Sequence, residues 1–134
     1  MSLLFTPHTF QAPRGPLAVP NRIVIAPMCQ YSAENGRATD WHLTHWTQLL
    51  NSGAGLLILE ATAVSPEGRI TPACLGLWDE ATQAALHDKL DRARRQAPPM
   101  PVCMQIAHAG RKASSEVPWR GGMLIAPQDG GWLP

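Results

Sequence analysis

Arg22-Ile23-Val24-Ile25-Ala26-Pro27-Met28-Cys29-Gln30-Tyr31 is the stretch whose reading decides the fold. Ile23, Val24 and Ile25 form a β-branched run that predicts a strand at about 22–28, buried on both faces. Pro27 stops it, because proline has no N–H for a sheet ladder and restricts the residue before it. A thiol, an amide and a phenol follow at once, on Cys29, Gln30 and Tyr31. An apolar strand that ends in polar, reactive groups is how α/β barrels and open α/β sheets build sites, at the carboxyl ends of their strands.

Upstream, residues 1–21 carry Leu3, Leu4, Phe5 and Phe10 broken by Pro7, Pro13, Pro16 and Pro20. They predict short extended pieces, a hairpin, covering one end of a larger body. Downstream, 32–38 is a loop with an Asn35-Gly36 turn signal. Thr39 or Asp40 then caps a helix running to about Asn51. Its apolar stripe is Trp41, His42, His45, Trp46, Leu49 and Leu50, and Gly53 supplies the left-handed end. Gly55 to Val64 is a second fully buried strand, ending in Glu60, Ala61 and Thr62. A long loop, 65–78, leaves that end, where long loops carry function or stay disordered. Asp79 caps a second helix at about 80–96, with Leu86, Leu90 and Ala93 inward and Arg92, Arg94 and Arg95 at the dipole's negative end. Pro98 and Pro99 end it. Residues 102–107 form a third buried strand, followed by the polar run His108 to Lys112 and a Gly- and Pro-rich tail, 113–134.

Strand, helix, strand, helix, strand implies parallel strands joined by helical crossovers. Two helices can cover only one face of an open sheet, or the outside of an incomplete barrel. The expected chain is therefore an unfinished one, since three parallel strands leave open edges.

Composition narrows the function classes. The 134 residues suffice for one modest domain, and a net charge of +1 argues against a nucleic-acid or membrane-surface footprint. No apolar run approaches the ~20 residues of a membrane span, and the N-terminus lacks a secretory pattern. Three cysteines without close pairing fit free thiols in a reducing compartment, the cytoplasm. His42 and His45, three apart on a helix, lack a third ligand on a rigid element, so helix-face packing is preferred to a metal site. There is no GxGxxG and no phosphate-binding loop.

Five blocks, in order, resemble the old yellow enzymes, most closely the thermophilic-like ene-reductases and xenobiotic reductases. They are Asn21 to Tyr31, then Asp40-Trp41-His42, then Gly53 to Val64, Pro66 to Arg69, and Gln105 to Lys112. The resemblance runs from about Leu4 to Trp132 and covers the N-terminal third of such a protein. It implies a (β/α)8 TIM barrel with FMN at the carboxyl ends of its strands. This chain would supply an N-terminal cap (1–21), three strands and two helices (22–107), and the start of the excursion after the third strand (108–134). Such barrels run to about 250 residues. The family's substrate-binding histidine pair, its proton-donating tyrosine and its phosphate loops would lie beyond residue 134 or on another polypeptide.

What the resemblance implies for function is an FMN-dependent ene-reductase. NADPH or NADH would be its reductant, small enone-type compounds its substrates, and a homo-oligomer its complete form. The alternative is a non-catalytic fragment or subunit that folds against a partner chain. Cys29 would sit against the flavin ring and tune its potential, since proteins tune cofactors through hydrogen bonds and charge. The alternative for it is a buried inert thiol. Pro27 and Met28 would bring backbone to the ring edge, or merely end the strand and fill core. Tyr31 would offer its phenol to the substrate carbonyl, or be a wet interfacial tyrosine. Ala61 would present its amide to the flavin, or simply pack. Gln105 would answer the ring's acceptor and donor edge, because a buried amide needs partners. Arg69, His108, Arg111 and Lys112 would shape the cap over the site or bind an anion, or form a solvated or paired cluster.

Overall fold

The computed structural model describes residues 2–133, so residues 1 and 134, the ends of the expected cap and tail, lie outside it. The predicted hairpin forms: β1 (His8–Phe10) pairs antiparallel with β2 (Leu17–Val19). Three further strands, β3 (Val24–Ile25), β4 (Leu56–Ala63) and β5 (Val102–Ala107), make a parallel sheet in the order β3-β4-β5. Two helices, α1 (Asp40–Leu50) and α2 (Glu80–Arg94), make the crossovers. Among the described residues, no helix is long and apolar enough to cross a membrane.

β4 is central because it is the longest apolar run and can pair on both edges. Its Leu57 and Leu59 join Trp46, Leu50, Leu75, Leu86 and Ala93 in one core between the sheet and the helices. Each such leucine stabilises the fold by roughly 1.5–3 kcal/mol relative to an exposed one. On α1 the buried positions are His42, Trp46 and Leu50, a spacing of four. Trp41 falls outside the stripe expected of it, 54% exposed and stacked on His45 at 6.3 Å. On α2 the inward Leu86 and Ala93 are as expected, joined by Thr82. Asp79 caps it by accepting from the Thr82 amide at 2.7 Å. The helix ends at Arg94 because Pro98 and Pro99 have no N–H to give the Arg94 and Arg95 carbonyls, and Asn51 Nδ2 donates to the Gln96 carbonyl just beyond at 3.1 Å.

Three expectations fail because β3 and β5 are edge strands with one face uncovered: β5 has no buried residue instead of being a buried strand. β3 is two residues long instead of about seven, and Val24 is 40% exposed instead of buried on both sides. β3 has β4 for a neighbour on one edge only. The Ile23 amide bonds the Asn21 side chain at 3.0 Å, and Pro27 has no N–H to extend the ladder. Helices cover one face of the sheet, so Val24 on the other face stays open. The 65–78 loop is ordered: Cys74 and Leu75 are buried, and Ala63 and Leu75 are joined by a 2.9 Å backbone hydrogen bond.

Candidate functional site

The carboxyl ends of β3, β4 and β5 converge on one row of groups. The ladder runs in register from Leu57↔Val102 to Leu59↔Met104 and then slips, so that Ala61 faces Gln105. That slip is a bulge, which frees an amide from the ladder. The Ala61 backbone lies close enough to Cys29, at the end of the β3 segment, to favour its thiolate. Cys29, Ala61 and Gln105, three of the residues singled out from the sequence, thus line up across the three strands.

Pro27 is half-buried beside them, and Met28 is 65% exposed, bordering a small cavity with His45, Trp46 and Leu49 of α1. Gln105 departs from expectation by being exposed, beside Ile106, Ala107 and His108 in a shallow depression. The helices cover Val102 and Met104 instead, because side chains alternate along the strand.

Tyr31 follows in a left-handed backbone conformation, φ 50°. Such a conformation is costly for a residue with a side chain and must be held by its surroundings. Two contacts hold it. The Gln30 amide donates to Glu60 Oε2 at 2.9 Å, and the Tyr31 ring meets Trp119 edge-to-face at 5.8 Å. Burial raises the Tyr31 pKa, and negative charge developing on Cys29, Cys74 and Glu60 adds to it, so its phenol keeps its proton.

Three groups at this site are not among the site residues expected from the sequence. Glu60 is 3% exposed under the turn. His42 is buried beside it, with Nε2 3.5 Å from Glu60 Oε1. His42 Nδ1 accepts from the Thr39 amide at 3.0 Å, which leaves the ring proton on Nε2, facing the carboxylate. The separation is long for a hydrogen bond, and neither atom has another partner. His42 is therefore more than the helix-face packing expected of it.

The third is Cys74, buried, with its sulfur 3.4 Å from both the amide and the hydroxyl of Thr71. Its titration is linked to that of Cys29: the first ionisation of such a pair is favoured and the second opposed. The hydrogen bond from Cys29, followed by Thr71's hydroxyl and amide, draws Cys74 down to about 6 against the cost of burial. Cys29 is pushed far up, first by Cys74, then by burial and by Glu60.

The residues of the proposed cap are structural where contacts exist. The Arg69 guanidinium lies between the Trp78 and Trp132 rings, 5.5 and 5.0 Å from their centroids. Its nitrogens donate to the Pro66 and Pro72 carbonyls at 2.8 and 3.1 Å. His108 Nδ1 accepts from the Gly110 amide at 3.1 Å. Arg111 and Lys112 are exposed.

Residues 3–129 match the NADH:flavin oxidoreductase / NADH oxidase family. The chain belongs to that family. It is 45% identical over 130 residues to an NADH:flavin oxidoreductase of Gibberella zeae, covering 96% of this chain and 30% of that protein. An NADPH dehydrogenase of Geobacillus thermodenitrificans is 41% identical over 128 residues, covering 94% of this chain and 34% of that protein. Among solved structures, an old yellow enzyme homologue from Zymomonas mobilis superposes with a TM-score of 0.70 at 27% identity. The match covers 84% of this chain and 30% of that one. The chain thus spans about a third of the length of the relatives it matches, and what it resembles is an N-terminal part of an old yellow enzyme.

The donor set fits one edge of a flat, amphipathic ring system. Gln105 offers an open amide, Met28 an open apolar side chain, Cys29 a sulfur, and Ala61 a side chain too small to obstruct. FMN is the group the family implies.

Proposed function

We propose that this chain contributes the FMN face of an ene-reductase whose (β/α)8 barrel is completed by further sequence or by a partner polypeptide. The observation that carries the reading is the row Cys29–Ala61–Gln105 across three parallel strand ends, beside an uncovered sheet face. When bound, FMN supplies hydride transfer from NADPH or NADH to the β-carbon of an α,β-unsaturated carbonyl compound.

This chain's residues do the positioning. Gln105 holds the ring's donor–acceptor edge. Pro27 and Met28 form the wall at the end of β3, and Cys29 places a protonated thiol at the ring. Tyr31 keeps its phenol protonated and directs it at the substrate carbonyl. The proton donor to the α-carbon lies outside residues 1–134. The reading includes a cytoplasmic location, supported by three free thiols, and a homo-oligomer when complete.

A second reading, a subunit that folds against a partner, is favoured by the open sheet. β3 and β5 are both edge strands, and Ile106 is 68% exposed. Exposed parallel edges and apolar strand residues call for cover.

Both are tested by incubating the protein with FMN, alone and with any co-purifying polypeptide, then desalting and recording the visible spectrum. Flavin absorbance retained with the partner is expected. Retention in neither sample overturns the proposal.

A further inference from the structure

Leu59 pairs with Met104 and Ala61 with Gln105, so Glu60 is the extra residue that the register slip inserts into β4. Alternation would send the side chain after Leu59 to the sheet face opposite the helices. Instead Leu59 and Glu60 are both buried, and Glu60 reaches His42 on α1. A bulge re-aims the residue it inserts.

From there the acid and its imidazole neighbour bracket Tyr31. On one side, Glu60 Oε2 accepts from the Gln30 amide at 2.9 Å. On the other, His42 Nδ1 accepts from the Thr39 amide at 3.0 Å, and the Thr39 hydroxyl donates to the Ser32 carbonyl at 2.9 Å. The Ser32 hydroxyl closes the loop by donating to the Gln30 carbonyl at 3.0 Å. Both neighbours of Tyr31 are thus tied to one buried pair, and Tyr31 between them takes φ 50°. Glu60 Oε1 is buried with no hydrogen bond of its own. An under-partnered buried acid and a left-handed residue other than glycine each cost stability, and such strain collects where a fold must hold a side chain in a set direction.

We propose that Glu60 is a positioning residue: turned inward by the slip and steadied by His42, its carboxylate pins the Gln30 amide and so aims the Tyr31 phenol into the site. The pinning of the turn is a property of this chain alone. Its consequence for substrate rests on the function proposed above.

Two conservative variants separate reach from charge. Glu60→Gln keeps the length and an accepting oxygen but loses the charge. Glu60→Asp keeps the charge and withdraws it by one methylene. Amide hydrogen exchange, followed by nuclear magnetic resonance on the full chain, compares the Gln30 amide with the Ala63 amide, which donates to the Leu75 carbonyl at 2.9 Å in the fold's interior. Tyr31 is the only tyrosine, so its ring contact with Trp119 is read in the same spectra without ambiguity.

In Glu60→Asp the Gln30 amide should exchange about tenfold faster, the Ala63 amide at its parent rate, and the Tyr31–Trp119 contact should weaken. In Glu60→Gln the Gln30 amide should stay within about threefold of the parent. Protection kept in both variants, lost in both, or lost only in Glu60→Gln overturns the proposal. So does a loss at Ala63 that matches the loss at Gln30, which would make the acid a support of the whole fold. In the completed enzyme, Glu60→Asp should raise KM for an enone more than it lowers kcat, with the flavin-to-protein ratio unchanged; an unchanged KM overturns the aiming of the phenol. Flavin retention can fail while the exchange pattern holds, and the pattern can fail while flavin is retained, so the two readings fail separately.

Discussion

On one face of the sheet, Leu57 and Leu59 of β4 pack against Trp46, Leu50 and Leu86. On the other, Val24, Cys103 and Gln105 stand open. The same three strands make both faces, because successive side chains point to opposite sides. The difference teaches that stability and chemistry are separated by alternation alone. The covered face is buried within this chain. The open face is apolar enough to need cover and polar enough, at the strand ends, to grip a ligand. The sharpest way to break this division is at Trp46, which is 1% exposed. Trp46→Ala should cost about 4 kcal/mol, against a total stability on the order of 5–15 kcal/mol. Urea midpoints followed by circular dichroism measure it. A loss below about 1 kcal/mol would mean that the helices do not anchor the sheet.

The next largest effect lies where the two faces meet. His42 on α1 and Glu60 on β4 are both buried, 3.5 Å apart, and Glu60 also takes the Gln30 amide. Removing the imidazole leaves the carboxylate with one partner in a low-dielectric setting, which costs about 3 kcal/mol in comparable pairs. The double variant His42→Ala/Glu60→Gln should recover part of that loss, because the stranded charge is gone and an amide oxygen still accepts from Gln30. A double variant less stable than His42→Ala would show that the pair is held by packing and not by charge.

The elements were legible because periodicity is local. The Leu-rich run of β4, the spacing of four on α1 and the Asp79 cap of α2 are written within a few residues of each other. The length of β3 was not, because strand length depends on how many neighbours pair with it, and β3 has one. Likewise Cys29, Ala61 and Gln105 stood out by motif, and the register slip after Leu59 brings them into one row. Glu60 looked like the polar end of an apolar strand, and Cys74 like a residue in a loop. Only the return of the 65–78 loop, through the Ala33–Ala73 and Ala63–Leu75 hydrogen bonds, buries Cys74 against the strand ends. No spacing in the sequence encodes that closure.

A smaller contribution to stability depends on pH, and its sign follows from the thiol pair. Cys74 ionises near 6 in the fold and near its ordinary 9.0 when unfolded. Between those values the unfolded chain binds more protons, so stability rises with pH; it is lost as pH falls through about 6. Cys29 is shifted the other way, so above 9.0 the unfolded state sheds a proton that the fold keeps, and stability falls again. Thermal melts from pH 5 to 10 should therefore show a maximum near 9 that Cys74→Ser abolishes. An unchanged profile in that variant would separate the two thiols energetically.

Gln105→Leu should move stability least, within about 0.5 kcal/mol, because the side chain is exposed. On the covered face a substitution of similar size would disturb packing; here it meets solvent. Its effect belongs to the ligand. Leucine keeps the bulk and removes one donor and one acceptor, so the completed enzyme should fold normally and release FMN more readily, read as a lower flavin-to-protein absorbance ratio after desalting. Met28, also exposed, is the control: Met28→Leu keeps the apolar contact and should leave that ratio unchanged. If Gln105→Leu retained flavin as well as the parent, the open face would serve as a docking surface for the rest of the barrel, and the row of strand ends would lose its role as a ring-edge clamp. If it lost both flavin and stability, Gln105 would be part of the fold's own support, and the separation of the two faces would not hold at the carboxyl end of β5.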